Sequence, residues 1–258
     1  MEKNLRSHRD IWRQKEALRA IYEHWYRQMF AHVQHTDGIT IELGGGIGNL
    51  KDFNGRIVSS DLERYEWLDL VNDAEALPFQ ADSISNIFLF DVLHHLGSPH
   101  RFFEETARVL RPGGRAIMIE PYISPISDFV YTHFHPESHN LNADPFRVLT
   151  TPKNPLDSNQ AYPTAIFWKH RSEFTRRYPT LKIHTTERMG LFAYPLCGGF
   201  RHKTMLTTNL LTRLNKWEKH LKSLSALFAF RCLVVLEKQA TRTVSATYQP
   251  ECDLLSVV

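Results

Sequence analysis

One short segment contains residues whose types and spacing could bind a nucleoside. Glu42 is followed by glycines at positions 44, 45, 46 and 48, directly after the apolar run Ile39–Ile41. Glycine carries no Cβ atom, so the backbone can turn sharply there and approach a ligand closely. A second acid, Asp61, ends the next strand-like run, where it could accept hydrogen bonds from ribose hydroxyls. The pattern predicts a nucleoside site at the edge of a parallel sheet.

The register of these glycines excludes two common nucleotide-binding motifs. A G-x-G-x-x-G frame fails from the first glycine because position 49 is Asn49, and from the second because position 47 is Ile47. A P-loop fails because no Gly-Lys-Ser/Thr follows. The frame that fits is E-x-G-x-G-x-G, formed by Glu42, Gly44, Gly46 and Gly48.

Strand-like and helix-like segments alternate along most of the chain, which predicts a doubly wound α/β fold. The expected strands are Ile39–Leu43, Arg56–Asp61, Trp67–Asn72, Ser85–Asp91, Arg115–Glu120, Leu181–Thr186 and Ala229–Lys238. The expected helices are Arg9–His35, Pro99–Leu110, Ala165–Tyr178 and Asn209–Leu221. The proline-rich stretch 121–164 is expected to be an irregular insertion.

Three further motifs follow the glycine segment in order: DAEALPF at 73–79, DVLHHL at 91–96 and ARVLRPGGR at 107–115. Together the four motifs resemble those of class I S-adenosylmethionine-dependent methyltransferases. The likeness is to the small-molecule type related to the ubiquinone and menaquinone biosynthesis enzymes, and it covers about residues 37–121. It implies a Rossmann-like, seven-stranded and mostly parallel sheet with an antiparallel last strand, and S-adenosyl-L-methionine as cofactor.

The resemblance also implies which residues contact the cofactor. Glu42 would order the methionine end, Asp61 would accept both ribose hydroxyls, and Asp73 would accept the adenine amine. The full implied set is Glu42, Gly44, Gly45, Gly46, Gly48, Asp61, Leu62, Asp73, Ala74 and Phe90. Simpler structural roles stay open, since Asp73 also suits a helix N-cap and either of the other two acids could pair with a nearby base.

His94 and His95 are the candidate catalytic residues because they follow the fourth strand at the edge where ligands bind. Imidazole titrates near neutral pH and could accept a hydroxyl proton, with His95 preferred. The alternative is that one histidine only hydrogen-bonds the loop. A second histidine group, at positions 133, 135 and 139 beside Glu137, has spacing that could hold a metal ion. Because Phe134 and Pro136 interrupt it, we expect no metal there. We assign this stretch to a substrate-pocket wall formed by Tyr122, Phe129, Tyr131, His133, Phe134 and His135.

Composition favours a cytoplasmic location, whereas the resemblance, together with the large insertions, implies an acceptor that is a small molecule. The three cysteines show no metal-ligand spacing, and the first fifteen residues are charged, unlike a signal peptide. Residues 166–222 hold 12 Lys/Arg and 3 Asp/Glu, so the acceptor could be anionic, although scattered basic residues suit solvated helix faces as well. Most plausibly the acceptor atom is an oxygen. The rivals are a cofactor-binding protein without activity and an RNA methyltransferase.

The predicted organisation has three parts. Residues 1–36 form an N-terminal helical cap, and residues 37–240 form the catalytic domain. Insertions at about 121–164 and 187–227 interrupt that domain and are expected to select the substrate. Residues 241–258 form a C-terminal tail.

Overall fold

The computed structural model describes residues 2–35, 37–134, 137–147 and 158–240. The described strands are β1 (Ile39–Leu43), β2 (Val58–Asp61), β3 (Leu70–Val71), β4 (Ile84–Phe90), β5 (Leu110–Pro121), β6 (Leu181–Met189) and β7 (Arg231–Lys238). The described α-helices are α1 (Glu2–Gln14), α2 (Glu16–Phe30), α3 (Asn49–Phe53), α4 (Pro99–Val109), α5 (Pro125–Phe134), α6 (Tyr162–Thr164), α7 (Arg171–Arg177), α8 (Ala193–Cys197), α9 (Thr208–Trp217) and α10 (Ser225–Phe228). The predicted tail 241–258 and His135 lie outside the described residues.

The seven strands form one sheet in the order β3-β2-β1-β4-β5-β7-β6. Neighbouring strands from β3 to β5 run parallel, whereas β7 is antiparallel to both β5 and β6. The predicted fold class is therefore confirmed. The chain leaves β1 toward β3 on one side and returns to β4 on the other, so the strand order reverses between β1 and β4.

The second half of strand β4, residues 87–90, shows why a buried parallel strand can be a continuous apolar run. Successive side chains point to opposite faces of the sheet. Phe88 belongs to the apolar cluster that contains the inner face of α2, while Ile87 and Leu89 pack with Phe102 and Phe103 of α4. Because helices cover both faces, neither face of the strand needs polar residues.

The N-terminal segment forms two helices where the sequence analysis predicts one. The break is at Lys15, whose ammonium group donates hydrogen bonds to the carbonyls of Gly199 and His202 at 2.6 Å each. These contacts come from residues far along the chain, so local periodicity could not reveal the break.

The insertion after β5 is also more regular than predicted, since it contains α5. Ser124 acts as the N-cap, because its Oγ accepts a hydrogen bond from the Ser127 N–H at 3.1 Å, and Pro125 occupies the first helical position. Within the described residues, none of the helices is long and apolar enough to cross a membrane.

The RPGG segment before the regular part of β5 forms a bulge. Residues 111–114 lie opposite the single residue Ser85 of β4, and Gly113 has φ +80°. A Cβ atom at Gly113 would meet no atom within 4 Å, so this positive-φ glycine lies in open space away from the β1–β4 edge.

Candidate cofactor and acceptor site

A cavity of about 460 Å³ opens at the carboxyl ends of β1 and β4, where the strand order reverses. This is the position at which open α/β sheets bind ligands. The glycine segment, the end of β4, α5, the region around α8 and the start of β7 all contribute to its lining. The residues of most chemical interest there are Glu42, Gly44, Gly45, Gly46, Phe90, His94, His95, Glu137, Tyr194 and Arg231.

The glycine loop after β1 is shaped by close backbone contacts. Gly44 has φ +70°, and a Cβ atom there would collide with the side chain of Val92 at the end of β4. Gly45 donates its N–H to the Ser60 carbonyl at 2.8 Å, which ties the loop to β2. The loop therefore holds bare backbone against the cavity, as the E-x-G-x-G-x-G pattern predicts.

Glu42 places a buried carboxylate at this end of the cavity. Its side chain is 2% exposed and accepts a hydrogen bond from the Ser59 hydroxyl. Burial raises the pKa of Glu42 to about 7, and the Ser59 hydrogen bond only partly opposes this effect. A buried carboxylate of this kind gains most from a cationic ligand group such as an ammonium.

The raised pKa of Glu42 has a measurable effect on stability. Because the folded state holds this proton more tightly than the unfolded chain does, its contribution to stability is present below about pH 4.5 and is lost as pH rises through about 7. Between pH 5 and pH 8, the unfolding free energy of the ligand-free wild-type protein should fall by roughly 2–3 kcal/mol more than that of the Glu42→Gln variant. The variant is less sensitive to pH because it lacks the titrating carboxyl group. Urea unfolding at both pH values measures the difference, and Glu23→Gln, on the solvent side of α2, is the control. An unchanged pH slope in Glu42→Gln would contradict this assignment.

Asp61 lies behind the glycine loop and holds it. Its two carboxylate oxygens accept the N–H groups of Gly46 at 2.8 Å and Leu62 at 2.7 Å. Burial raises the pKa of Asp61, and these backbone hydrogen bonds oppose the rise. Each carboxylate oxygen has a second lone pair, so the group retains acceptor capacity for ribose hydroxyls.

The residues predicted to contact adenine lie farther from the cavity. Asp73 accepts the N–H of Glu75 through Oδ1 at 2.8 Å and therefore caps a local turn. Leu62 is 50% exposed, whereas Ala74 is partly buried against the main core. The cavity lining thus includes Glu42, Gly44, Gly45, Gly46, Phe90, His94 and His95, and it does not include Gly48, Asp61, Leu62, Asp73 or Ala74.

Helix α1 and Trp67 cover the outer side of the glycine loop. The Trp67 indole N–H donates to the Gly46 carbonyl at 2.8 Å, and its ring stacks on Tyr65 with centroids 5.3 Å apart. The Arg9 guanidinium lies 4.9 Å from the Trp67 ring centroid and also donates to the Ile47 carbonyl.

The end of β4 carries a buried histidine–glutamate pair. His94 Nδ1 lies 2.7 Å from Glu120 Oε2, and Glu120 Oε1 accepts the N–H groups of Val92 and Leu93 at 2.8 Å each. Burial raises the pKa of Glu120 to about 7, and those backbone hydrogen bonds oppose the rise. When Glu120 is ionised it only accepts, so Nδ1 of a neutral His94 carries the proton and Nε2 presents a lone pair.

His95 lies beside His94, with ring centroids 4.1 Å apart. Its Nδ1 atom is buried and finds no hydrogen-bond partner among the described residues. Burial, followed by the neighbouring His94, lowers the pKa of His95 to about 4. His95 is therefore neutral at physiological pH.

A second ion pair, between the half-buried Asp91 and the buried Arg231, completes this part of the cavity. Asp91 has φ +59° and forms an ion pair with Arg231, which is 6% exposed and also donates to the Tyr194 hydroxyl at 2.6 Å.

Sequence reasoning missed the contributions of Glu120 and Arg231. An acid at the end of a parallel strand is a usable signal for Glu120, whereas nothing local distinguishes Arg231.

The two described members of the second histidine group, His133 and His139, do not assemble around Glu137. His133 Nδ1 hydrogen-bonds the Phe129 carbonyl at 2.7 Å, and His139 Nε2 lies 2.8 Å from Asp128. Glu137 instead points toward His94, with its Oε2 3.8 Å from His94 Nε2. Of the predicted pocket wall, Tyr131 and Phe134 line the cavity.

Comparison with known proteins identifies the class of this fold. Residues 51–118 match the family model described as a methyltransferase domain. A solved SAM-dependent methyltransferase from Archaeoglobus fulgidus is 13% identical, with a TM-score of 0.50 over 85% of this chain and 94% of that chain. A chain from the Haloferax volcanii complex of the Trm112 methyltransferase activator with a methyltransferase is 18% identical, with a TM-score of 0.47 over 90% and 98% of the two chains. No curated protein sequence matches the chain.

Residues 51–118 therefore match a methyltransferase domain, and the sheet has the fold of class I, S-adenosylmethionine-dependent methyltransferases. The family match confirms the predicted enzyme class and its cofactor, S-adenosyl-L-methionine. The matched segment begins at residue 51, so it does not include the glycine loop or Glu42. These residues therefore support the same class independently of the family match. The relation to ubiquinone and menaquinone enzymes stays a prediction.

Proposed function

We propose that this protein transfers a methyl group from S-adenosylmethionine to an oxygen of a small-molecule acceptor. The observation that carries the proposal is that one cavity contains both the glycine loop with Glu42 and the His94–Glu120 pair at the end of β4. The first group suits the cofactor, and the second suits an acceptor that must lose a proton. When bound, the cofactor supplies an electrophilic methyl group on a sulfonium centre.

The cofactor residues have distinct roles in this proposal. Glu42 faces the cofactor's ammonium group, and the backbone of Gly44–Gly46 approaches its methionine and ribose portions. Asp61 uses its remaining lone pairs for the ribose hydroxyls, with Leu62, Asp73 and Ala74 toward adenine. Gly48 and the backbone at Phe90 complete the set. The fit is supported by the buried Glu42 carboxylate and by the bare backbone at Gly44, where a Cβ atom would collide with Val92.

At the acceptor end we assign the proton transfer to His94 rather than to His95, which the sequence analysis prefers. Glu120 fixes the His94 ring, so that Nε2 can accept the hydroxyl proton. His95 has a pKa lowered to about 4, which makes it the weaker base. His95 instead contacts the acceptor as a neutral group within the same cavity.

We further propose that α1, α2 and the two insertions act as the substrate cap, in line with the predicted domain division. The exposed Arg201 lines the same cavity, which favours an acceptor carrying negative charge. Cytoplasmic location is supported by Cys197 and Cys232, which are buried free thiols.

Calorimetry with S-adenosylhomocysteine and S-adenosylmethionine tests the cofactor assignment directly. We expect saturable heat and a rise in melting temperature, because a ligand that binds only the folded state stabilises it by mass action. Absence of both signals at millimolar ligand would reject the proposal. Binding without methyl transfer to any component of a small-molecule extract would instead support the rival, inactive cofactor-binding protein.

A further inference from the structure

Three metal-ligating side chains converge on the acceptor end of the cavity. His94, His95 and Glu137 each offer one ligand atom, and all three atoms lie within 4.8 Å of one another. The histidines belong to the turn that follows β4, whereas Glu137 lies beyond α5, so the fold brings the third ligand in from a separate segment.

The spacing is close to that of a bound ion. Zinc bonds of about 2.0–2.2 Å in tetrahedral geometry separate neighbouring ligand atoms by roughly 3.3 Å. His94 Nε2 and Glu137 Oε2 are already 3.8 Å apart. Glu137 Oε2 also accepts hydrogen bonds from Ser158 Oγ and Gln160 Nε2, which hold the carboxylate on this side of the cavity.

The surroundings of the two histidines match those of metal ligands. Metal-bound histidines typically donate their second ring N–H to a carboxylate, which orients the ring. Glu120 Oε2 accepts from His94 Nδ1 in this manner and leaves Nε2 toward Glu137. The buried Nδ1 of His95 has no hydrogen-bond partner among the described residues, and an ion would satisfy it.

Charge balance also favours a divalent cation. Glu120 and Glu137 flank the two imidazoles, while Asp91 is neutralised by its ion pair with Arg231. An ion with two positive charges would compensate the two remaining carboxylates. Imidazole nitrogen suits zinc and neighbouring transition metals, whereas magnesium and calcium prefer oxygen ligands.

We propose that His94, His95 and Glu137 bind one divalent transition-metal ion of the zinc type. Three protein ligands leave a fourth position open toward the cavity, as in catalytic zinc sites. One consequence rests on the proposed function: with the ion bound, an acceptor hydroxyl that takes this position would have its pKa lowered and would release its proton to solvent. His94 would then act as a metal ligand in the loaded protein and as the base in the metal-free protein. Metal binding itself does not depend on methyl transfer.

Equilibrium dialysis of the full-length protein against Zn²⁺, followed by metal analysis, tests the site. We expect one Zn²⁺ per chain, visible absorption bands when Co²⁺ replaces it, and no retention of Mg²⁺. The variants His95→Ala and Glu137→Gln should bind Zn²⁺ more than about 100-fold more weakly, because each removes one ligand of three. His133→Ala is the matched control, since His133 hydrogen-bonds the Phe129 carbonyl, and it should bind Zn²⁺ like wild type.

Heat of S-adenosylhomocysteine binding shows that each variant is folded. Retained cofactor binding together with lost Zn²⁺ binding in Glu137→Gln supports the site. Equal Zn²⁺ binding by wild type, His95→Ala and Glu137→Gln would overturn it, as would Zn²⁺ loss only in His133→Ala. If wild type binds the cofactor but no Zn²⁺ or Co²⁺, the metal inference fails while the proposed function stands. If wild type binds Zn²⁺ but not the cofactor, only the proposed function is rejected.

Discussion

The Gly44→Ala variant should bind S-adenosylhomocysteine at least about 100-fold more weakly than wild type, a loss of roughly 3 kcal/mol of binding free energy. A Cβ atom at this position would strike the Val92 side chain, and the backbone has φ +70°. Val92 cannot easily retreat, because its N–H is held by Glu120 at 2.8 Å. The glycine loop must therefore move into the space in which the cofactor would lie. Calorimetric titration measures the effect.

Gly113→Ala is the matched control for this variant. Gly113 also has positive φ, at +80°, but a new Cβ there would meet nothing within 4 Å. We expect it to lose about 1–2 kcal/mol of stability from backbone strain and to bind the cofactor normally. Equal affinities for Gly44→Ala and Gly113→Ala would show that the Val92 contact does not shape the cofactor site.

The second large effect concerns His94. We expect His94→Gln to lower methyl transfer by about 10²–10⁴-fold while cofactor affinity stays within a few-fold of wild type. The glutamine can still hydrogen-bond Glu120 but has no imidazole nitrogen to accept a proton. Transfer of a labelled methyl group from S-adenosylmethionine into a fixed small-molecule extract gives the rate.

His100→Gln is the corresponding control. His100 lies on α4, hydrogen-bonds the Tyr178 hydroxyl at 2.6 Å and does not line the cavity. Its methyl-transfer rate should equal that of wild type. A His94→Gln enzyme that is as fast as His100→Gln would remove His94 from the reaction and leave His95 as the remaining candidate.

The parts of the fold that the sequence predicts are those determined by local patterns. The apolar run of β4 reflects burial on both faces, and helix α4 begins at Pro99 as expected for a proline at the first helical position. The glycine loop is equally local, because close contact at Gly44 demands a residue without a side chain. All of these were readable from residues within one short window.

The parts that the sequence does not predict depend on partners distant along the chain. The break at Lys15 is stabilised by carbonyls 184 and 187 residues away. The sequence places Glu137 beside a local histidine group, yet in the structure it faces His94, 43 positions earlier. Arg231 reaches Asp91 only because β7 inserts between β5 and β6. No periodicity within a single segment encodes such contacts.

Because of the position of β7, we expect the two ends of the cavity to form at different stages of folding. The cofactor end is closed by short-range contacts, with Glu42 and Ser59 separated by 17 residues and Gly46 and Asp61 by 15. The Asp91–Arg231 pair requires closure across 140 residues, which costs about 2 kcal/mol more in chain entropy than the Gly46–Asp61 contact. Contacts of such high sequence separation form late. We therefore expect the cofactor end of the cavity to assemble first and the acceptor end to be the last part of the molecule to become functional.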